Sequence, residues 1–341
     1  VALPLEVLVS CVRRGLAAIE TRNLETTRHV AILYRSVGLP AKVTAEARKD
    51  VRSLSLTFPI PSQEANYRTK PASYVANLLG HEGPGSLFDV LKRAGLAESL
   101  SAGLGMDTGE NATLEISISL TPEGLARHED ILPLVFDYIE KIRQKGISEQ
   151  RFLEMQNLAR IDFRFREQGN PLHEAMRLSR YLQDYPAEDV LRAPWLVERF
   201  APEQYRDILD RLTPDNLLTF VLAPEPELEN PNRTDWYEAA WARKPLDPAT
   251  LRTQFLPELA AQLRLPPENP FVPEDLAMVP GKTMAQPTQL ATIEGMDVWF
   301  ARDTRFDTPK ANVLVGLRTP ATRPSTSTTV PTAITGEARQ T

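Results

Sequence analysis

Leu54, Leu56 and Phe58 alternate with Ser53, Ser55 and Thr57 along the chain. A two-residue period sends successive side chains to opposite faces, so the stretch predicts a half-buried β-strand within 51–58. The same period recurs over 112–120, where Leu114, Ile116 and Ile118 alternate with Thr113, Glu115 and Ser117. Further strands are predicted over 29–34, 96–104 and 217–222, with 103–110 as a hairpin connection. A helical period governs other stretches. Leu5, Leu8, Val9, Val12, Leu16 and Ile19 fall on one side of a helix over 5–20,.

The most distinctive pattern lies at 71–103. It predicts two short helices joined by the loop Gly80-His81-Glu82-Gly83-Pro84-Gly85 and followed by a strand. Pro71 suits the first turn of a helix, where its missing N–H costs nothing. Val75, Leu78 and Leu79 give that helix its apolar face, and Gly80 is expected to end it in a left-handed turn. Ser86, with Asp89 three residues on, predicts an N-cap for the second helix, and Gly95 closes it. Downstream, Thr121-Pro122-Glu123 opens a helix that should run to about 145, kink at Pro133 and stop at Gly146,. Ser148 caps a helix reaching about 167, and more helices are predicted at 171–183, 186–199 and 202–212.

From 224 the texture changes. Twelve of the 29 prolines lie between 224 and 287, a density that forbids long helices and central strands,. With Trp236, Tyr237, Trp241, Phe255 and Phe271 as apolar anchors, the segment predicts an extended strap across a surface. Strands are expected again at 296–301 and 311–317. The Thr/Ser/Pro-rich stretch 321–341 has too few large apolar residues to bury and predicts disorder.

Composition narrows the function classes. The 341 residues are 42% hydrophobic and 25% charged, as in a globular protein, and the formal charge of −6 argues against nucleic acid as the main partner,. The single cysteine, Cys11, excludes an intrachain disulfide framework and a cysteine-rich metal site,. Its place on the apolar face of the first helix predicts a core residue and not a nucleophile. No apolar run is long enough for a membrane span. The N-terminal stretch lacks a basic n-region, so no signal peptide is predicted, and it opens on Val1 without methionine, as a fragment or processed product does,.

Catalytic templates fail. The histidines are His29, His81, His128 and His173, and neither H-x-x-E-H nor H-E-x-x-H occurs,. No G-x-S-x-G, Walker A or G-x-G-x-x-G run is present. The Arg/Phe string 160–166 reads as one side of a long helix with arginine stems over apolar neighbours. No catalytic and no metal-ligating residue is therefore predicted in this chain.

The run GHEGPGSLFDVLKRAGLAESLSAG (80–103) closely resembles the second homologous domain of the pitrilysin and insulin-degrading-enzyme family of zinc peptidases. VRSLSLTFPI (51–60), FRFREQ (163–168), the YP at 185–186, TDWY (234–237) and PENPFVPEDL (267–276) resemble the same family. The similarity runs from about 7 to about 318. It implies an α+β, insulinase-like fold, with a mainly antiparallel sheet covered by helices on one face. It also implies an organisation: 1–24 as the last helix of a preceding domain, 25–222 as a non-catalytic middle domain, 223–290 as a proline-rich linker and 291–320 as the first strands of a following domain. Those strands alone cannot bury their apolar face.

The family's zinc site, H-x-x-E-H, would belong to a missing catalytic domain upstream. Zinc is thus expected in the parent protein and none in this chain. The resemblance implies a chamber wall carrying an exosite for peptide substrates, mapped onto Gly80, Glu82, Leu100, Ser101, Ala102 and Gly103. Glu82 would meet a substrate's α-ammonium, and the strand would pair with its backbone. Departures from the family are Ser101 and Ala102, where relatives carry an apolar residue and a glycine, and Asn77 in place of a histidine. Alternative readings are that the glycines serve only the turn and Glu82 caps the next helix, or that the chain is an inactive binding or scaffold protein. A relative processing a cofactor-precursor peptide also remains open. Bacterial relatives lean the expected location toward the periplasm.

Overall fold

The computed structural model describes residues 4–20, 22, 34, 38–167, 169–253, 255–267, 269–273, 275–278, 280–293, 295–304 and 308–316. In chain order the elements begin with helix α1 (Leu5–Leu16), strands β1 (Ala41–Glu46) and β2 (Ser53–Pro61), helices α2 (Pro71–Leu79) and α3 (Leu87–Arg93), and strands β3 (Ala97–Asp107) and β4 (Asn111–Leu120). Helices α4 (Pro122–Ala126), α5 (His128–Lys145), α6 (Glu149–Arg164), α7 (Pro171–Asp184) and α8 (Pro202–Leu209) follow. Strands β5 (Leu218–Ala223), β6 (Asn232–Arg233) and β7 (Ala240–Pro245), helix α9 (Pro257–Ala260) and the hairpin β8 (Thr288–Ile293) and β9 (Met296–Phe300) complete the chain.

Seven strands form one sheet in the order β3-β4-β2-β5-β1-β7-β6. Every pairing is antiparallel except β1 with β5. The alternation read from the sequence decides which face is core. Leu54, Leu56, Phe58 and Ile60 of β2 stand opposite Ile118, Ile116, Leu114 and Ala112 of β4, and all eight are buried. Burying each of the larger side chains is worth about 1.5–3 kcal/mol. The other face carries hydroxyls, among them Ser99 bonded to Ser119 (2.9 Å) and Ser55 to Ser117 (3.4 Å).

Helices α2, α3, α5 and α8 cover the apolar face with Val75, Leu79, Leu91, Val135, Tyr138 and Leu209. Tyr74 of α2 stacks on Tyr205 of α8, ring centroids 4.3 Å apart. Its hydroxyl donates to the Gly146 carbonyl (2.9 Å) and accepts the Ser148 N–H (3.1 Å), so the turn between α5 and α6 is tied to α2. The α+β class, with a mainly antiparallel sheet and helices on one face, is as the family resemblance implied.

Several local expectations need correction. The helix expected from 121 to 145 is two helices, α4 and α5, interrupted at Arg127 (φ −114°, ψ 21°), while Pro133 lies inside α5. The hairpin connection expected at 103–110 is shorter, because β3 continues to Asp107 and Thr108 already pairs with Asn111. No helix forms over 186–199. Turns run there instead, because Pro194 has no N–H to continue a helix and Asp189 is drawn into a side-chain cluster,. Residues 311–316 form no strand. Cys11 is exposed and no residue of α1 is buried, since no described segment covers that helix's apolar face. Strand β1 and strand β7, the latter within the proline-rich stretch, were not predicted. Of the strand expected at 29–34 only Tyr34 is described, in a turn, and 321–341 lie outside the described residues.

The turn segment is held by a clasp. The buried Asp189 carboxylate accepts hydrogen bonds from Tyr67 (2.8 Å), Arg68 (2.5 Å) and Arg192 (2.6 and 2.8 Å). Lys70 Nζ donates to the Pro194 carbonyl (2.7 Å), and Glu198 N–H donates to the Arg68 carbonyl (2.8 Å). Hydrogen bonds from Tyr67, Arg192 and Arg68 hold the Asp189 carboxyl down at about 2. The unfolded chain titrates this group near about 3.9. Its stabilising contribution is therefore complete above about pH 4 and is lost as pH falls through about 2. Asp189→Asn should lower the melting temperature by several degrees at neutral pH, and thermal unfolding from pH 7 to 2 should show that gap closing in acid. Equal melting temperatures at pH 7 would remove the clasp as a stabilising feature.

Candidate functional site

The loop at 80–85 is built by three close approaches. At Gly80 the backbone is not left-handed (φ −86°), contrary to expectation. The glycine is needed for another reason: a Cβ there would stand 3.2 Å from Ala102 N and 3.3 Å from the Ala76 carbonyl. Helix α2 therefore ends directly against strand β3. The His81 ring folds over Gly83, whose N–H donates to Nδ1 at 2.8 Å. A Cβ at 83 would fall 2.6 Å from His81 Cε1. Gly85 is the left-handed residue (φ +82°), and Arg264 packs against it while donating its N–H to the Gly85 carbonyl at 2.7 Å,.

The capping of α3 follows the sequence. Ser86 Oγ accepts the Asp89 N–H (3.2 Å), and the Asp89 carboxylate accepts the Gly85 N–H (2.7 Å) and pairs with Arg93 (2.8 Å). Glu82 takes no part in this cap. It is exposed and has no hydrogen bond or ion pair with any described residue.

Among the described residues strand β3 is the outermost strand on its side of the sheet, bonded to β4 alone. Leu100 points into the core, Ser101 is exposed, and Ala102 and Gly103 are half-buried. Register pairs Ser101 with Ser117, Ala102 with Ile116 and Gly103 with Glu115. On an edge strand alternate N–H and C=O groups face away from the sheet and remain available for pairing. Gly80 and Ala102 thus meet directly, and Glu82 lies two residues along the same loop.

Sequence reasoning missed the second layer of this site. Residues 263–267 and 269, inside the proline-rich segment, lie over the loop and α6. Leu263 is buried in the main core, Arg151 donates to the Pro266 carbonyl (2.7 Å), and Glu154 accepts the Asn269 N–H (3.2 Å). His81, Arg151, Glu154, Pro266 and Pro267 line a cavity of about 250 Å³ beside the loop. The only signal in the sequence was the proline density. A larger cleft, about 640 Å³, lies by Pro71 at the opposite end of α2, away from the loop.

Among the described residues zinc has no fitting donor set. His81 Nδ1 is occupied by the Gly83 N–H, His128 Nδ1 donates to the Leu125 carbonyl (2.7 Å), and His173 sits on α7. His29 lies outside the described residues. Among the described residues no group of three or more His, Cys, Asp or Glu side chains is arranged to hold a metal ion, and no helix is long and apolar enough to cross a membrane.

Comparison with known proteins agrees with the fold. Residues 2–158 match the family described as the peptidase M16 inactive domain, and residues 163–338 match the middle or third domain of peptidase M16. Human insulin-degrading enzyme is 29% identical over 285 residues, covering 83% of this chain and 27% of that protein. A nardilysin-like protein of Arabidopsis thaliana is 32% identical over 278 residues, covering 78% of this chain and 27% of that protein. The chain thus spans about a quarter of the length of these relatives. The crystal structure of pitrilysin shares the fold, with a TM-score of 0.77 at 24% identity, over 90% of this chain and 33% of that one. The chain belongs to the M16 peptidases, the family of pitrilysin and insulin-degrading enzyme, and carries non-catalytic domains of that family.

Proposed function

We propose that this chain forms a non-catalytic wall of the substrate chamber in a zinc-dependent metalloendopeptidase, and that loop 80–85 and strand β3 anchor the N-terminal end of a peptide substrate. The observation that carries this reading is a strand edge at 101–103 that no described strand pairs with, beside Glu82, an exposed carboxylate with no hydrogen bond or ion pair among the described residues. An extended peptide can add to such an edge through backbone hydrogen bonds, with little regard for its sequence. Its α-ammonium, at the end of the added strand, is a cation for Glu82 to hold. Tethering one end raises the effective concentration of the rest of the peptide at a distant reaction centre. On this reading the zinc and the reacting groups belong to a domain outside this chain, which is its partner. Ala102 and Ser101 place side chains where relatives have a glycine and an apolar residue, so peptide preference should differ from theirs.

An extended peptide with a free N-terminus should bind this chain more tightly than its N-acetylated form. The difference expected for a partly exposed ion pair is about 1 kcal/mol, roughly fivefold in affinity. Glu82→Gln should produce the same loss and remove the effect of acetylation, as measured by fluorescence anisotropy. Equal affinities for both peptides would eliminate the ammonium contact.

The loop should also respond to acid. His81 accepts the Gly83 N–H at Nδ1, which only the neutral ring can do,. Burial pushes its pKa down; Glu154 and Glu82 oppose this, and Arg151 adds to it. Because the folded value lies below the unfolded one, the contribution to loop order is complete above about pH 6.5 and is lost as pH falls through the folded value. The protection factor of the Gly83 amide, its exchange corrected for the intrinsic rate at each pH, should fall, and peptide affinity with it, as pH is lowered from 7.5 to 5. A Gly83 amide whose protection stays constant across that range would contradict the latch.

A further inference from the structure

We propose that the cavity beside the loop is a specificity pocket for the first side chain of the anchored peptide, and that it selects a long, unbranched side chain with a cationic end, lysine or arginine. The proposal rests on the anchoring reading above and adds to it the identity of the residue that is held.

His81 is the wall shared by the loop and the cavity, one residue from Glu82. A peptide whose ammonium sits at Glu82 therefore has its first side chain nearest this opening. The volume, about 250 Å³, is below the roughly 300–1,000 Å³ of sites for drug-sized ligands and suits one side chain. Leu78, Met155, Leu158, Ala159, Pro266 and Pro267 supply its apolar lining. A chain of methylenes gains from such walls, while its charged head stays at the rim.

The charges at the cavity are unequal. Arg151 is the one cation among the lining residues, and it is committed to the Pro266 carbonyl. Glu154 accepts the Asn269 N–H. Asp162, exposed on α6, lines the cavity and has no hydrogen bond or ion pair with any described residue. Two carboxylates against one engaged guanidinium leave a net negative field, which favours a cationic head and disfavours an acidic one. The cavity is also preformed. The strap is fastened by Arg264 to Gly85, by Pro266 to Arg151 and by Asn269 to Glu154. Its walls come from both family segments, since α2 and α6 lie in or begin in the first match and the prolines lie in the second.

The test uses the whole chain and three extended peptides that differ only at the first residue, Arg, Leu or Asp, each free and N-acetylated. The expected order is Arg, then Leu, then Asp, with about tenfold between the extremes at low salt and less at high salt. Asp162→Asn, an exposed change that leaves packing intact, should shrink the Arg-to-Leu preference. Ala159→Phe, which fills the cavity, should abolish all first-residue preference and preserve the effect of acetylation. Acetylation sensitivity without any first-residue preference in the wild type overturns the pocket and leaves the anchoring. Binding indifferent to acetylation, or no binding, overturns the anchoring and the pocket with it.

Discussion

The contact on which the architecture of the site depends is steric: helix α2 ends against the backbone of strand β3 at Gly80 and Ala102. A side chain at residue 80 would meet Ala102 N at 3.2 Å and the helix's own Ala76 carbonyl at 3.3 Å, with no flexible atom to give way. A larger residue there would require the backbone of α2 or β3 to give by a few tenths of an ångström. The helix could not absorb that shift freely, because Tyr74 is stacked on Tyr205 and bonded to both sides of the turn at 146–148. The position of loop 80–85 beside the sheet edge is therefore set by the core, through one rigid helix, and not by the loop's own preferences. Held this way, the loop and the strand edge offer a fixed arrangement of backbone groups, which lowers the ordering cost of any ligand that pairs with them.

The sheet ignores the boundary between the two family segments. Strand β5, from the second, lies between β2 and β1, both from the first. Its Val221 and the buried Thr219 sit in the middle of the structure. The proline-rich stretch then returns to the same body. Strand β7 pairs with β1, and Leu251, Leu256 and Leu263 enter the main core. Three spaced leucines suffice to fasten an extended segment, since each full burial is worth about 1.5–3 kcal/mol and a proline-rich chain has less conformational freedom to lose. The strap can thus serve as a rigid wall over the loop although it contains little regular structure.

Legibility in the sequence followed how local each determinant was. Strands β2 and β4 were legible because each buries one complete alternating set of large residues. The cap of α3 was legible because Ser86 and Asp89 interact across three residues. Strand β1 was not, because its two buried residues are Ala41 and Ala45, and its neighbours Lys42 and Thr44 carry no apolar signal. The helix expected at 186–199 failed for one local and one distant reason: Pro194 has no N–H to continue it, and Tyr67 and Arg68, more than a hundred residues away, claim the Asp189 carboxylate. Gly80 was singled out correctly for a wrong reason, since a turn preference is visible locally and the nearness of Ala102 is not. For the candidate site, the sequence showed the loop, the strand and a strap, but where the strap lies and the cavity it lines stayed hidden because they exist only through contacts between 78–85, 151–162 and residues 263–267 and 269.

Two perturbed groups of the clasp help explain what kind of site this is. Asp189 and Lys70, held near about 2 and about 8, belong to the clasp around the turn segment, and their interactions are spent on fixing the chain. Perturbed groups mark function only where they face a cleft into which a reactant can come, and Asp189 is enclosed by its own partners. At the edge of β3 the available groups are of another kind: backbone amides and carbonyls, a carboxylate with no hydrogen bond or ion pair among the described residues, and small side chains that permit close approach. Groups of that kind hold an extended chain by pairing and by charge. On the anchoring reading, selectivity would come from what flanks an edge that is itself indifferent to sequence, and the flank we propose is the cavity lined by Pro266 and Pro267.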